Sequence, residues 1–474
     1  MFEKQKKSDD QKEADISVGQ RSVDYAGASE KVDPEEINLV RKLDLIVLPI
    51  LWALAFMNFL NRQAVTVARL DGLEKSLKMK GTNFSTSISI HYVGYILGQI
   101  PSNMLLTRLR ASWYLPIAMM ICGIATGLTA LCHDFKGLVL QRFFQGIVAA
   151  PMYPGALYML SVFYTRKEVG TRMTIIYTSN LIATACTGLI AAPIFSELGG
   201  KHGLAGWKWM FIIFAAFSLF FCVLGILLLP DTPQDTRWLT EAQRRLAHER
   251  IARDTVQKEK DVSVVRGLRE ASLDYRVWIF AFSHHIHSST SGFRNFFPTL
   301  LKTFGYGTTV TLVLTCPPYF LACVTGILIA LSSGKYNERA WHIVVTKLVA
   351  LVGFIIACAT MNTGARYFAT FLFTCGTYGV SSVVMAWVGS TFAQTKERRA
   401  ASIAIVNTSA SVSLIWTPYL WPTSAGPRYI LPLAASAGMC FVTIACMLYM
   451  KWDLRRENKR IKREDTSATV FYAY

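Results

Sequence analysis

The sequence predicts an all-α integral membrane protein with about twelve transmembrane helices in two six-helix halves. Three observations lead there. The chain is 52% hydrophobic with a mean hydropathy of +0.33. Its apolar runs each approach the roughly 20 residues that cross a bilayer as a helix. A charged stretch from Asp231 to Asp274 separates six such runs from six more. The formal charge of +18 is spread over short connections and the tails. It forms no single patch interleaved with aromatics, so membrane topology explains it and nucleic acid is not expected as a partner.

In chain order, residues 1–42 are charged and aperiodic and read as a disordered cytosolic tail. Met1 to Asp15 is too polar for a cleavable signal peptide, so the first apolar run is expected to direct insertion. The N-terminal half, 43–230, has runs centred on Leu54, Gly94, Met120, Ala149, Thr184 and Ala216. The cytosolic central linker, 231–274, mixes acids and bases and contains an amphipathic stretch that Thr240 would cap. The C-terminal half, 275–452, has runs centred on His287, Leu321, Leu351, Cys375, Ser409 and Ala437, and 453–474 reads as a cytosolic tail.

Basic pairs recur after even-numbered spans: Arg108 with Arg110, Arg166 with Lys167, Arg237 with Arg244, Lys335 with Arg339, and Arg455 to Arg460. With both termini inside, nearly all of them fall in the cytosol, as the positive-inside bias requires. The first connection, with Arg69, Lys75, Lys78 and Lys80, is the exception, and it also carries Asp71 and Glu74. Equivalent basic turns in the two halves point to an internal repeat, an arrangement that encloses a site near the midplane.

The ten cysteines lie in or beside apolar runs without a CxxC, so they read as small buried hydrophobes; no metal and no cofactor is expected. Neither HExxH nor GxSxG occurs, and an enzyme is not expected.

Two stretches carry polar chemistry inside apolar runs. Arg142 to Gly155 contains a guanidinium that cannot lose its proton, followed by Pro151, Pro154 and Gly155. The arginine should face protein or a watered cavity, and the broken backbone should line one. The alternative is a kinked packing helix whose arginine ties two helix ends together. In the seventh run His284, His287, Ser291 and Arg294 recur at steps of three and four, which puts them on one helical face. Histidine titrates nearest physiological pH, so the stripe is a candidate for carrying protons while Arg294 holds an anion.

The stretches Asn58 to Arg62, Ile100 to Leu106, Arg142 to Ser161, Leu204 to Ile213, Leu229 to Leu239, Asn295 to Thr299, Gly364 to Tyr367 and Ala425 to Tyr429 together resemble the major facilitator superfamily. They resemble in particular its fungal anion:cation symporter branch, which includes permeases for allantoate, nicotinate and pantothenate. The resemblance implies the two-half fold and secondary active transport of a small organic anion, a carboxylate, by alternating access. It also implies a monomer in the fungal plasma membrane. Several acids usual in that family are replaced, by Asn61, Gln99, Ala149, Phe214 and Gly334, while Arg62 and Arg142 remain. Proton coupling by the usual carboxylates is therefore open.

The expected anion contacts are Arg62, Arg142, Arg294, Asn61, Tyr153 and Asn180, with Tyr158, Trp387, Asn407 and Trp416 carrying less weight. The expected coupling groups are His91, His284, His287 and Gln99. A metabolite exporter and a sensor that binds without transport are the competing classes.

Overall fold

The computed structural model describes residues 33–106, 108–254, 264–392, 395–464 and 472. The expected tail over 1–32, the linker residues 255–263, the terminal residues 465–471 and 473–474, and the side chains of Arg166 and Lys167 lie outside the described residues.

Twelve helical passes cross the described chain. The first half contains Pro34–Ala68, Asn83–Leu106, Ala111–Leu128, Phe135–Ala149 continued by Met152–Phe163, Arg166–Glu197 and Gly206–Leu228. In the second half the seventh pass is Tyr275–Thr290, tightening to a 3-10 turn over Ser291–Asn295 and resuming as Phe297–Lys302. Thr308–Leu314 with Cys316–Tyr336, Ala340–Ala359, Thr363–Thr377 with Val380–Thr391, Lys396–Trp416 and Ile430–Glu464 complete it.

The first helix starts earlier than its charges imply. Asp33 caps it by accepting from the Glu35 amide at 2.9 Å, Pro34 sits in its first turn, and Glu35 and Glu36 face the positive end of its dipole. Residues 34–42, expected in the tail, are therefore helical. The last helix likewise runs on to Glu464 through the expected tail, and the linker holds two helices, Glu241–Asp254 and Val264–Leu273.

Ten helices are long and apolar enough to cross a membrane among the described residues. The second and seventh passes are not among them, because both carry polar rows: Ser85, Ser87, Ser89 and His91 in one, His284, His287 and Arg294 in the other. All seven side chains are buried against protein, where their polarity can be satisfied. Lipid-facing positions such as Phe220, Leu227, Phe320 and Leu328 are instead apolar and exposed. The second and fourth passes touch backbone to backbone: a Cβ on Gly94 would overlap the Phe143 carbonyl oxygen, and one on Gly146 that of His91.

The two halves meet at the face opposite the linker. There Ser85 donates to the Pro418 carbonyl at 3.0 Å and Thr86 pairs with the Tyr419 hydroxyl at 3.0 Å. The Arg69 guanidinium lies over Phe84 at 4.3 Å and near Phe296 at 5.7 Å. At the linker face the ion pairs run within a half. Arg250 of the first linker helix bonds Glu168 at 2.5 Å and Glu36 at 3.6 Å, while Arg398 bonds Asp274 at 2.6 Å.

On that face Glu338 caps the ninth pass. It accepts from the Trp341 amide at 3.0 Å and from Lys451 of the last helix at 2.7 Å, and pairs with His342 at 3.1 Å. Burial alone would raise its carboxyl, but the bonds from Lys451, Trp341 and His342 outweigh it and hold the group below its ordinary value. A depressed carboxyl adds stability above its ordinary range and loses it as pH falls through the lowered value. Glu338→Gln should therefore melt below wild type in detergent at pH 7, and the gap should close on acidification; a gap that stays constant down to pH 3 would contradict this pairing.

Candidate functional site

The sequence has no Asp or Glu from 75 to 133, 169 to 196, 275 to 337 or 339 to 396. The bundle interior nevertheless buries Arg142, Arg294 and Lys347 and holds Arg62 at its centre. Buried cations without carboxylates must find carbonyls, amides, hydroxyls or ring faces.

Arg142 is 3% exposed. It donates to Gln145 at 2.7 Å and to the backbone carbonyl of Arg62 at 3.1 Å, and Gln145 in turn donates to Thr126 at 2.8 Å. It therefore ties the fourth pass to the first and fixes where Arg62 stands. His91 lies against the backbone of Arg142, with its Nδ1 unpartnered among the described residues. The fourth pass breaks between Ala149 and Met152, at Pro151, and Pro154 and Gly155 enter the second segment. Gly155 lets Leu115 pack onto that backbone.

Arg62 is partly buried, with its guanidinium 4.7 Å from the Phe59 ring centroid and 3.4 Å from the Asn180 carbonyl oxygen that accepts from it. Arg294 comes from the other half, on the 3-10 turn that interrupts the seventh pass, and donates to the Tyr92 hydroxyl at 3.0 Å. The same tyrosine ring stands 6.0 Å from Arg62, and the two guanidiniums are near enough for their charges to act on each other. Tyr319 and Tyr378 flank Arg294, the Tyr378 hydroxyl lying against both the Tyr319 hydroxyl and the guanidinium. Tyr378 is aimed there by a break in the tenth pass at Gly379. The φ of +89° and the close approach to Gly326 both require glycine at that position. The Nε groups of Arg62, Arg142 and Arg294 are buried without acceptors among the described residues.

His284 and His287 stack with ring centroids 5.5 Å apart, and His287 pairs with Ser381 at 3.0 Å. Tyr177 of the first half lies against Ser381. Behind the histidines, fully buried Lys347 donates to Thr290 at 2.9 Å. The third histidine, His285, accepts from the Trp416 indole at 3.1 Å, so its Nδ1 donates to the Ser409 carbonyl at 2.8 Å. That assigns His285 and Trp416 to helix packing.

The structure brings together Arg62, Asn180, Arg294 and the face bearing His287, with Arg142 one layer behind. Tyr153 stands near Tyr95 and Tyr177, and Gln99 lies against Tyr95. Asn61 departs from the expected grouping: it turns to the sixth pass and donates to Ser218 at 2.8 Å. Trp387 is fully buried on Phe280 in the second half's core. Sequence reasoning missed Tyr92, Tyr177, Tyr319, Tyr378, Ser381 and Lys347. Of these only Lys347 carried a signal, as a lone cation in the apolar run Ala340–Ala359.

A family model described as Major Facilitator Superfamily matches residues 51–418. The chain is 30% identical over 451 residues to a major facilitator-type transporter, hxnP, of Emericella nidulans, covering 93% of this chain and 90% of that one. It is 25% identical over 451 residues to the pantothenate transporter liz1 of Schizosaccharomyces pombe, covering 92% and 86%. Among solved structures it is similar to an inward-facing, unoccupied bacterial homologue of the human lysosomal transporter Spinster, with TM-score 0.63, 16% identity, and 89% and 95% of the two chains covered. It is also similar to a D-xylose–proton symporter, with TM-score 0.65, 13% identity, and 84% and 95% covered.

Arg142→Ala should leave the Gln145 and Arg62 acceptors without their donor, costing about 1–3 kcal/mol. Melting in detergent should show that loss, with Arg142→Lys recovering only part of it because an ammonium cannot span both acceptors; a wild-type melting temperature for the alanine variant would refute the clamp.

Proposed function

Because the chain belongs to the Major Facilitator Superfamily and is a membrane transporter of that fold, we propose that it carries a small organic anion, a carboxylate, by alternating access. We place it in the superfamily's anion:cation symporter branch, acting as a monomer in the fungal plasma membrane with both termini in the cytosol. The observation that carries the reading is the facing pair Arg62 and Arg294, one from each half, bridged by Tyr92, with no Asp or Glu from 45 to 70 around the first or from 275 to 337 around the second.

The chemistry of the pair explains how binding would move the protein. Two like charges in a medium of low dielectric repel. A carboxylate between them replaces that repulsion with two charge-assisted hydrogen bonds, each stronger than a neutral one. The anion thus joins the halves at the midplane and favours closing the linker face, while the contacts around Arg69 at the far face become the ones to open. Tyr92, Tyr319 and Tyr378 supply hydroxyls and ring faces that would fit the remainder of the substrate. The relative named as a pantothenate transporter makes pantothenate, a carboxylate, the first probe.

Arg62→Gln and Arg294→Gln should each lower initial pantothenate uptake into yeast by roughly tenfold or more, since one charged hydrogen bond contributes about 1.5–3 kcal/mol. Normal uptake by either variant, with a panel of other small carboxylates giving the same answer, would remove the anion site from this pair.

Coupling to protons would need a group that releases one, and the interior offers His91, His284, His287 and Lys347. Lys347, Thr290, His287 and Ser381 form a polar row that ends at Tyr177 of the first half. Lys347→Arg keeps the charge but cannot give up its proton. Wild type should accumulate pantothenate in a protonophore-sensitive way, and this variant should only equilibrate it. Protonophore-sensitive accumulation by the variant would exclude Lys347.

A further inference from the structure

We propose that the linker face of the C-terminal half holds an anionic phospholipid, its headgroup on Arg456, Lys459 and Arg463 and its chains against the seventh and twelfth passes. Two adjoining cavities have the shape of such a molecule. The first, about 1030 Å³, is walled by the last helix, the second linker helix and the start of the seventh pass, and is lined by Arg276, Arg398, Arg456, Lys459 and Arg463 among others. The second, about 530 Å³, is lined by Trp278, Ile279, Phe282, Cys446 and Tyr449 and is almost wholly apolar. Tyr275 lines both, so the polar cavity continues into the apolar groove.

The charges of the upper cavity do not cancel. Its acids are engaged: Asp453 and Glu457 with Arg276 at 2.7 and 3.3 Å, Asp274 with Arg398 at 2.6 Å and Glu270 with Arg266 at 2.9 Å. Arg456, Lys459 and Arg463 are exposed and have no ion pair among the described residues. With Trp452 they recur at steps of four, three and four, one stripe of the helix that leaves the membrane, and Arg456 lies 5.8 Å from the Trp452 ring.

Below the stripe the surface is that of a membrane interface. Trp278 and Tyr449 are 54% and 46% exposed, and the Trp278 indole donates to the Ser272 carbonyl at 2.8 Å, which sets its polar edge toward the headgroup level. A free phosphate would use the basic stripe alone; the continuous apolar groove beneath it selects a lipid. With this face toward the cytosol, as the basic connections place it, the adjacent leaflet supplies anionic headgroups.

The test uses the purified full-length protein in detergent, with dioleoyl phosphatidylserine as probe, phosphatidylcholine as comparator and native mass spectrometry counting bound lipid. Wild type should retain phosphatidylserine over phosphatidylcholine by roughly tenfold, the scale of attraction that a few basic side chains exert on anionic lipid. The triple variant Arg456→Gln, Lys459→Gln, Arg463→Gln should lose that preference at an unchanged melting temperature, and Trp278→Ala with Tyr449→Ala should weaken retention of both lipids. Equal retention of the two lipids by wild type, or an undiminished preference in the triple variant, would overturn the proposal. So would displacement of phosphatidylserine by an equal concentration of soluble glycerophosphoserine, which would make the stripe a site for free phosphate.

Discussion

The structure depends on burying Arg62, Arg142, Arg294 and Lys347 in a bundle interior that gives them no acid partner among the described residues. Desolvating an isolated charge costs far more than the net stability of a folded domain, so each of these four needs compensation from neutral groups. Arg142 obtains it from an amide and a main-chain carbonyl, and Lys347 from a threonine hydroxyl. Arg62 and Arg294 obtain less: a long bond to Asn180, phenols, and ring faces. The deficit lies where the halves face one another, and it separates Arg142, which has two good acceptors, from the pair proposed above to receive an anion.

Helix breaks redirect two of the side chains around this pair, Arg294 and Tyr378. A continuous seventh helix would carry Arg294 round on the same 100° step as its histidines; the 3-10 turn over Ser291–Asn295 changes that step and sends the guanidinium toward Tyr92. The tenth pass does the same for Tyr378 through Gly379, and the fourth is interrupted at Pro151 just beyond the Arg142 clamp. Interrupted backbone is tolerated at such depth only inside protein. Arg294 and Tyr378 therefore share their passes with breaks for one reason, whereas Arg62 and Lys347 are carried by continuous helices.

Much of this was legible in the sequence. Apolar runs of sufficient length gave the fold class and the division into halves, and arginines inside those runs marked Arg62, Arg142 and Arg294, because a charge in hydrocarbon is conspicuous. Helix rotation was not legible: Asn61 and Arg62 are neighbours in sequence, yet one donates to Ser218 of the sixth pass and the other to Asn180 of the fifth. The four tyrosines carried no signal because tyrosine is ordinary in a membrane bundle; a break directs Tyr378, and Tyr92 and Tyr177 are placed by the rotation of continuous helices. Charge near the ends misled as well. Glu35 and Glu36 looked like tail, whereas at a capped helix start acids are stabilising. Lys347 shows the opposite case: a lone cation in an apolar run is visible in sequence, but its partner Thr290 lies two passes earlier in the chain and no local pattern points to it.

The same electrostatics separate the two basic regions by depth. Between the halves a cation has no headgroup to turn to, so the anion proposed to bind there would exchange its hydration for two guanidiniums and change the force between the halves. At the linker face the cations of the last helix are exposed, and the ion pairs among Arg276, Asp453 and Glu457 stay within one half. Charge there can hold that half to its leaflet without linking it to the other. A transporter that rocks needs both properties: one site whose occupancy couples the halves, and anchors that leave them free to move.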